Sequence, residues 1–187
     1  MPAKRKVTRE AIIKAAFRLL RNGGEEAVNA RGIARELKCS TQPIYSEFQN
    51  MEELKTELKK EAEKRYTETV KEYMRDGRCA RYKAYGLGYI RFAREEKQLF
   101  RYLYLRDREE GARMIEDVNA PEIGQTLREN YGMTEETAEK LHFDMAVYSY
   151  GLAVTVNSGY LHMTDEEISE CLDREFYALA YVYGIKL

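Results

Sequence analysis

Proline, cysteine and histidine are all scarce in this chain, with three, three and two copies among 187 residues. So few prolines, set among many charged helix formers, leave long uninterrupted segments and make an all-α fold the expectation. Cys39, Cys79 and Cys171 lie far apart, form no Cys-x-x-Cys pair and are odd in number. With only His142 and His162 beside them they offer no zinc-ligand spacing, so no metal site is expected, and the thiols read as reduced and cytoplasmic. The start, Met1-Pro2-Ala3-Lys4-Arg5-Lys6, runs into a charged stretch without an apolar signal core, so no secretion signal is expected. Met145 to Met163 carries no Asp, Glu, Lys or Arg, yet Ser149, Thr155, Asn157, Ser158, His162 and two glycines interrupt it and basic flanks are lacking. That pattern argues against a membrane span. A nucleophile motif and a phosphate-cradling glycine loop are also missing, so neither catalytic residues nor a cofactor are expected and the chain does not read as an enzyme.

What is present is the composition of a soluble globular protein, 44% hydrophobic and 34% charged. The net charge of −1 conceals an asymmetry: residues 1–65 hold 15 Lys and Arg against 10 Asp and Glu, the remainder 16 against 22. A basic front on an acidic body suits a phosphate-facing head on a solvated carrier.

Helix signals follow one another along the chain. Thr8 can cap a first helix carrying Ile12, Ile13, Ala16, Phe17 and Leu20, which Asn22-Gly23-Gly24 ends. Asn29 can cap a short second helix with Ile33, Ala34 and Leu37. Ser40 can cap a third, Thr41 to Phe48, with Pro43 in its first turn. Asn50 caps a long polar helix to about Arg75, with Glu52 and Glu53 in its positive first turn. Further helices are expected over roughly Cys79–Glu95 and Lys97–Arg106. After a loop-rich stretch, Asp107 to Pro121, come one ending at Tyr131-Gly132 and two begun by Thr134 and Thr164.

Residues 29–48 have the dimensions of a helix-turn-helix. Its first helix must hold the second through small and apolar contacts, here Ile33, Ala34, Leu37, Ile44 and Phe48. The second must show a polar amino-terminal end to base edges, and Thr41, Gln42 and Tyr45 supply one. The flanks extend the pattern. Thr8-Arg9-Glu10-Ala11-Ile12-Ile13, Gly23-Gly24, Ile33-Ala34-Arg35-Glu36-Leu37 and Ser40-x-x-x-Ile44-Tyr45-x-x-Phe48-x-Asn50-x-Glu52-Glu53-Leu54 together resemble the amino-terminal domain of the TetR family over about 47 residues.

That resemblance implies a three-helix helix-turn-helix domain over residues 1–54. A long fourth helix would join it to a helical effector-binding and dimerisation domain over 55–187. It places Thr41, Gln42 and Tyr45 on the recognition helix, with Tyr45 touching phosphate or a thymine methyl. It also makes Asn29 and Ser40 helix starts whose N–H groups meet phosphate, puts Arg31 near a backbone contact, and leaves the Lys4-Arg5-Lys6 arm for further phosphates. Two positions depart from the pattern. Lys38 stands where many members have glycine in the turn, and Met51 where many have a phosphate-binding lysine.

In the rest of the chain Tyr82, Tyr85, Tyr89 and Phe92 form an aromatic stripe, followed by Phe100, Tyr102 and Tyr104. Such a stripe is ordinary core packing, or one wall of an effector cavity containing Tyr89, Phe92, Phe100, Tyr104 and Met145; His142 could face it or serve the core. Leu141 to Val156 is apolar or small nearly all round, which requires burial on both sides. With the stripe Ile168, Leu172, Phe176, Leu179 and Tyr183 it suggests a two-fold four-helix interface using Tyr148, Leu152, Ala153, Phe176 and Leu179. The expected function is therefore a homodimeric, ligand-responsive repressor on a pseudo-palindromic double-stranded DNA operator, with an apolar or aromatic effector and no membrane partner. The alternative keeps the DNA-binding head and gives the body a protein partner.

Overall fold

The computed structural model describes residues 7–77, 79–106 and 118–186. The Lys4-Arg5-Lys6 arm and most of the Asp107–Pro121 stretch lie outside these described residues. Within them the chain forms nine α-helices and no strand, an all-α fold. They are α1 Arg9–Gly23, α2 Ala30–Leu37, α3 Gln42–Glu47, α4 Met51–Asp76, α5 Arg81–Glu95, α6 Lys97–Tyr104, α7 Ala120–Tyr131, α8 Glu135–Ser158 and α9 Asp165–Val182, with a 3-10 turn at Glu25–Ala27. No helix among them is long and apolar enough to cross a membrane.

The boundaries follow local chemistry. The hydroxyls of Thr8, Thr134 and Thr164 each accept an N–H three residues on, and Asn29 and Asn50 do the same with their side-chain carbonyls. Each satisfies a donor that a helix start leaves unpaired. Thr164 completes a reciprocal box, because Glu167 accepts the Thr164 N–H at 2.8 Å. Gly24 at φ 77° ends α1, and Gly159 at φ 80° ends α8 inside the uncharged run. Ser40 does not cap α3. The flanking residue is Thr41, itself in helical conformation and without a side-chain cap, so α3 begins at Gln42 and ends before the extended Phe48.

The described chain packs as two compact units. The first holds the residues to Lys64 together with Glu96–Arg106; the second holds Arg65–Glu95 and the residues after the undescribed stretch. In the first, α1, α2, α3 and the front of α4 enclose Ile12, Leu20, Ile33, Ile44, Phe48 and Leu54, all at most 2% exposed. Helix α6 belongs to this unit, adding buried Leu99, Phe100 and Tyr102, whose hydroxyl donates to the Lys55 carbonyl. Arg21 closes the unit with a two-pronged pair to Glu96 at 2.6 and 2.7 Å. The Glu96 side chain is only 2% exposed, so this cation is what makes burying the carboxylate tolerable.

In the second unit the rear of α4 packs on α5 so closely that a Cβ on Gly88 would fall 2.7 Å from Val70 Cα. Tyr66 meets Tyr89 and Phe92 with ring centroids 5.9 and 5.3 Å apart. Helix α8 buries Leu141, Met145, Ser149, Ala153 and Asn157, and Asn157 donates to the Ala93 carbonyl at 2.9 Å. Its opposite side is not covered: Phe143, Val147 and Tyr150 are 39–49% exposed.

Candidate nucleic-acid interface

Helix α2 is held at its start by Asn29 and at its end by Lys38, which takes the left-handed conformation, φ 53° and ψ 45°. There the Cys39 N–H bonds the Ala34 carbonyl at 2.9 Å and the Lys38 N–H the Arg35 carbonyl at 3.2 Å. This pair of bonds stops the helix sharply and turns the chain into α3. Ile33, Ala34, Ile44 and Phe48 bury the inner surfaces, so the outer side of α3 is fixed as a consequence of packing.

That outer side is polar. Gln42 is exposed, Tyr45 is 55% exposed and Thr41 is half-buried. Asn29, Arg31 and Ser40 are exposed as well. Asn29 already uses its side-chain oxygen on the Gly32 N–H, leaving its amide to donate to the Glu26 carbonyl. Met51, the first residue of α4, is half-buried.

A clamp that sequence inspection did not single out fixes the far end of α3. Arg9 donates to the Glu47 carbonyl at 2.7 Å and to Glu53 at 2.8 Å, and its guanidinium lies 4.0 Å from the Phe48 ring centroid. Glu53 also accepts the Gln49 N–H. That backbone bond first, and Arg9 second, hold its carboxyl below the ordinary value. One arginine at the start of α1 thus ties the end of α3 to α4.

The effector residues expected from the sequence divide between the units. Tyr89, Phe92 and Met145 lie in the second; Phe100 and Tyr104 stack on each other at 5.3 Å in the first. Phe92 and Phe100 are fully buried core residues. His142 faces Tyr82, with Nδ1 3.3 Å from the hydroxyl, and Tyr82 packs on Phe176, which also meets Tyr131. Burial pushes the Tyr82 hydroxyl pKa well up, with Tyr131 adding to it.

Of the residues expected at a subunit interface, Tyr148, Leu152, Phe176 and Leu179 are half-buried. Ala153 is fully buried in its own subunit and has no surface to offer a partner. The exposed apolar positions are instead Phe143, Val147 and Tyr150 on α8 and Tyr177, Tyr181 and Val182 on α9.

A short polar-faced helix, held through a tight turn by a preceding helix, has the geometry of a helix-turn-helix. Residues 12–58, which span the helix-turn-helix, match the model for bacterial regulatory proteins of the tetR family. No curated protein matches the chain by sequence. Among solved structures it is similar to a TetR-family member from Streptomyces coelicolor A3, at 20% identity and a TM-score of 0.63, covering 89% of this chain and 96% of that one. It is also similar to a TetR-like transcriptional regulator from Rhodococcus sp. RHA1, at 15% identity and a TM-score of 0.66, covering 97% and 98%.

Proposed function

We propose that the protein is a ligand-responsive transcriptional repressor that binds a pseudo-palindromic operator as a homodimer. Residues 1–54 would read DNA, and residues 55–187 would carry effector binding and dimerisation. The observation that supports this most is the exposed polar face of α3, Gln42 and Tyr45, fixed at both ends by the Lys38 turn and the Arg9 clamp. Two such heads related by a two-fold axis match half-sites about 34–36 Å apart. Asn29, Arg31, Ser40 and Thr41 would join the interface at the phosphates, which set register, while Gln42 and Tyr45 meet the groove.

The uncovered apolar residues of α8 and α9 support a second copy of the chain as the dimer partner. Effector occupancy in the body would change the spacing of the two heads and weaken the match to DNA. Selection from a random duplex library, followed by footprinting, tests the reading. It should return an inverted repeat protected on two successive major-groove faces. Recovery of unrelated sequences, or of a single half-site bound by a monomer, would refute it.

A further inference from the structure

The cations of the first unit differ in their partners. Arg9, Arg18, Arg21 and Lys55 each lie within 3.2 Å of a carboxylate. Arg31, Arg35 and Lys38 are exposed and have no ion-pair partner among the described residues. They stand at i, i+4 and i+7 along α2 and its terminating turn, a spacing that sets them in one row. Like charges at this spacing repel, so within the isolated head the row is a liability.

Lys38 adds a second one. It is the one non-glycine residue at positive φ among the described residues, in a conformation that glycine adopts without a Cβ penalty. Its backbone closes the α2 cap, which any residue could do; its side chain is exposed and unpaired. Among the described residues no carboxylate offsets the charge, and the same cap bonds would form with glycine in its place. The position is four residues before Gln42 and seven before Tyr45, at the turn that delivers α3 to its outward face.

We propose that Lys38 is a DNA-phosphate contact, and that the row Arg31–Arg35–Lys38 runs beside one strand while α3 occupies the groove. This rests on the DNA-binding reading above. The first helix of a helix-turn-helix crosses the sugar-phosphate backbone, which is where a cation row gains partners and its repulsion is relieved. The contact sets position and strength and reads no base, so it should appear equally on any duplex.

The test uses the full chain and a mixed-sequence DNA duplex, with fluorescence anisotropy over a salt series and thermal melts in parallel. Lys38→Gly and Lys38→Asn both remove the charge while accepting left-handed backbone; Lys38→Arg keeps the charge. The Gly variant should melt above the parent. Both uncharged variants should bind more weakly at low salt, with the log affinity against log salt shallower by about 0.9 per subunit. The Arg variant should keep the parent slope. Parental slope and affinity in the Gly and Asn variants would overturn the proposal. So would a Gly variant that melts below the parent, since Lys38 would then be supporting the turn. A parent that binds no duplex would overturn the DNA-binding reading itself, an outcome visible before any variant is compared.

Discussion

Tyr45 and Gln42 show how a residue acquires a role from its neighbours. Each is an ordinary polar side chain; Ile44 at 1% and Phe48 at 2% exposure turn the opposite side of α3 inward and leave these two facing out. Gln42→Ala should cost about 1–3 kcal/mol on the selected site and relax preference at particular base positions. Competition binding against single-base variants of the site measures this, and an unchanged preference profile would remove Gln42 from base reading. Met51 poses the opposite question, because lysine stands there in many proteins that the head resembles. Helix α4 keeps its amino-terminal field at Met51 without the charge. Met51→Lys should tighten binding to any duplex and steepen its salt slope by about 0.9 per subunit. Since Met51 is half-buried, the competing outcome is a lower melting temperature with an unchanged slope, which would mean that it serves packing.

Among the elements, α8 leaves the most apolar surface open within a single chain. Its near-continuous apolar sequence implies burial all round, yet within one chain only one side is buried and Phe143, Val147 and Tyr150 remain open. Gly151 continues the i, i+4 row from Phe143 and Val147, is exposed, and has open space where a Cβ would stand. Val147→Asp should therefore convert a dimer to monomers by light scattering at micromolar concentration without lowering the helical content. An unaffected dimer would place the interface elsewhere. The contact between α4 and α5 is closed by comparison. Gly88→Ala sets a methyl against Val70 Cα and Cγ2, at 2.7 and 2.9 Å, and the backbone atom cannot rotate away. It should destabilise by about 1–3 kcal/mol in chemical unfolding, whereas Gly151→Ala has room and loses only glycine's entropy cost.

At the scale of the whole molecule, stability has identifiable limits in pH. Glu53 in the first unit and Asp165 in the second have carboxyls below their ordinary values of 4.5 and 3.8. For Asp165, burial pushes upward, but hydrogen bonds from Arg94 at 2.6 Å and Tyr73 at 2.9 Å, with the charges of Arg94 and Arg91, outweigh it. A depressed carboxyl stabilises the folded state above its ordinary value and loses that contribution as pH falls through the lower folded one. Tyr73 runs the other way: burial first, then Asp165, pushes it from 10.0 up to about 12. Its contribution is complete below 10.0 and disappears as pH rises through about 12. Melting temperature should fall steeply below about pH 4, and Asp165→Asn should flatten part of that fall. An Asn variant with the parent's acid profile would show that the Arg94–Asp165–Tyr73 group does not hold α9 in place.

By itself the sequence determined the helices, because their signals are local. Thr8, Asn29, Asn50, Thr134 and Thr164 mark starts, and Gly24, Gly132 and Gly159 mark stops, through bonds and backbone angles set within a few residues. The helix-turn-helix was legible for the same reason, since its spacing and small buried residues lie within one short stretch. Ser40 was the local error: two adjacent hydroxyls and Pro43 leave the start of a six-residue helix underdetermined. Only tertiary structure decided what depends on distant residues meeting. It assigned α6 to the first compact unit through Arg21–Glu96 and Tyr102, across 75 and 47 residues of chain. It made Arg9 the clamp of α3, although a charged residue at a helix start carries no sign of its partner. It also sorted the apolar residues of α8, burying Ala153 and exposing Val147. Hydrophobicity gives the wish to be buried, and only the neighbours in space determine which side of a helix obtains it.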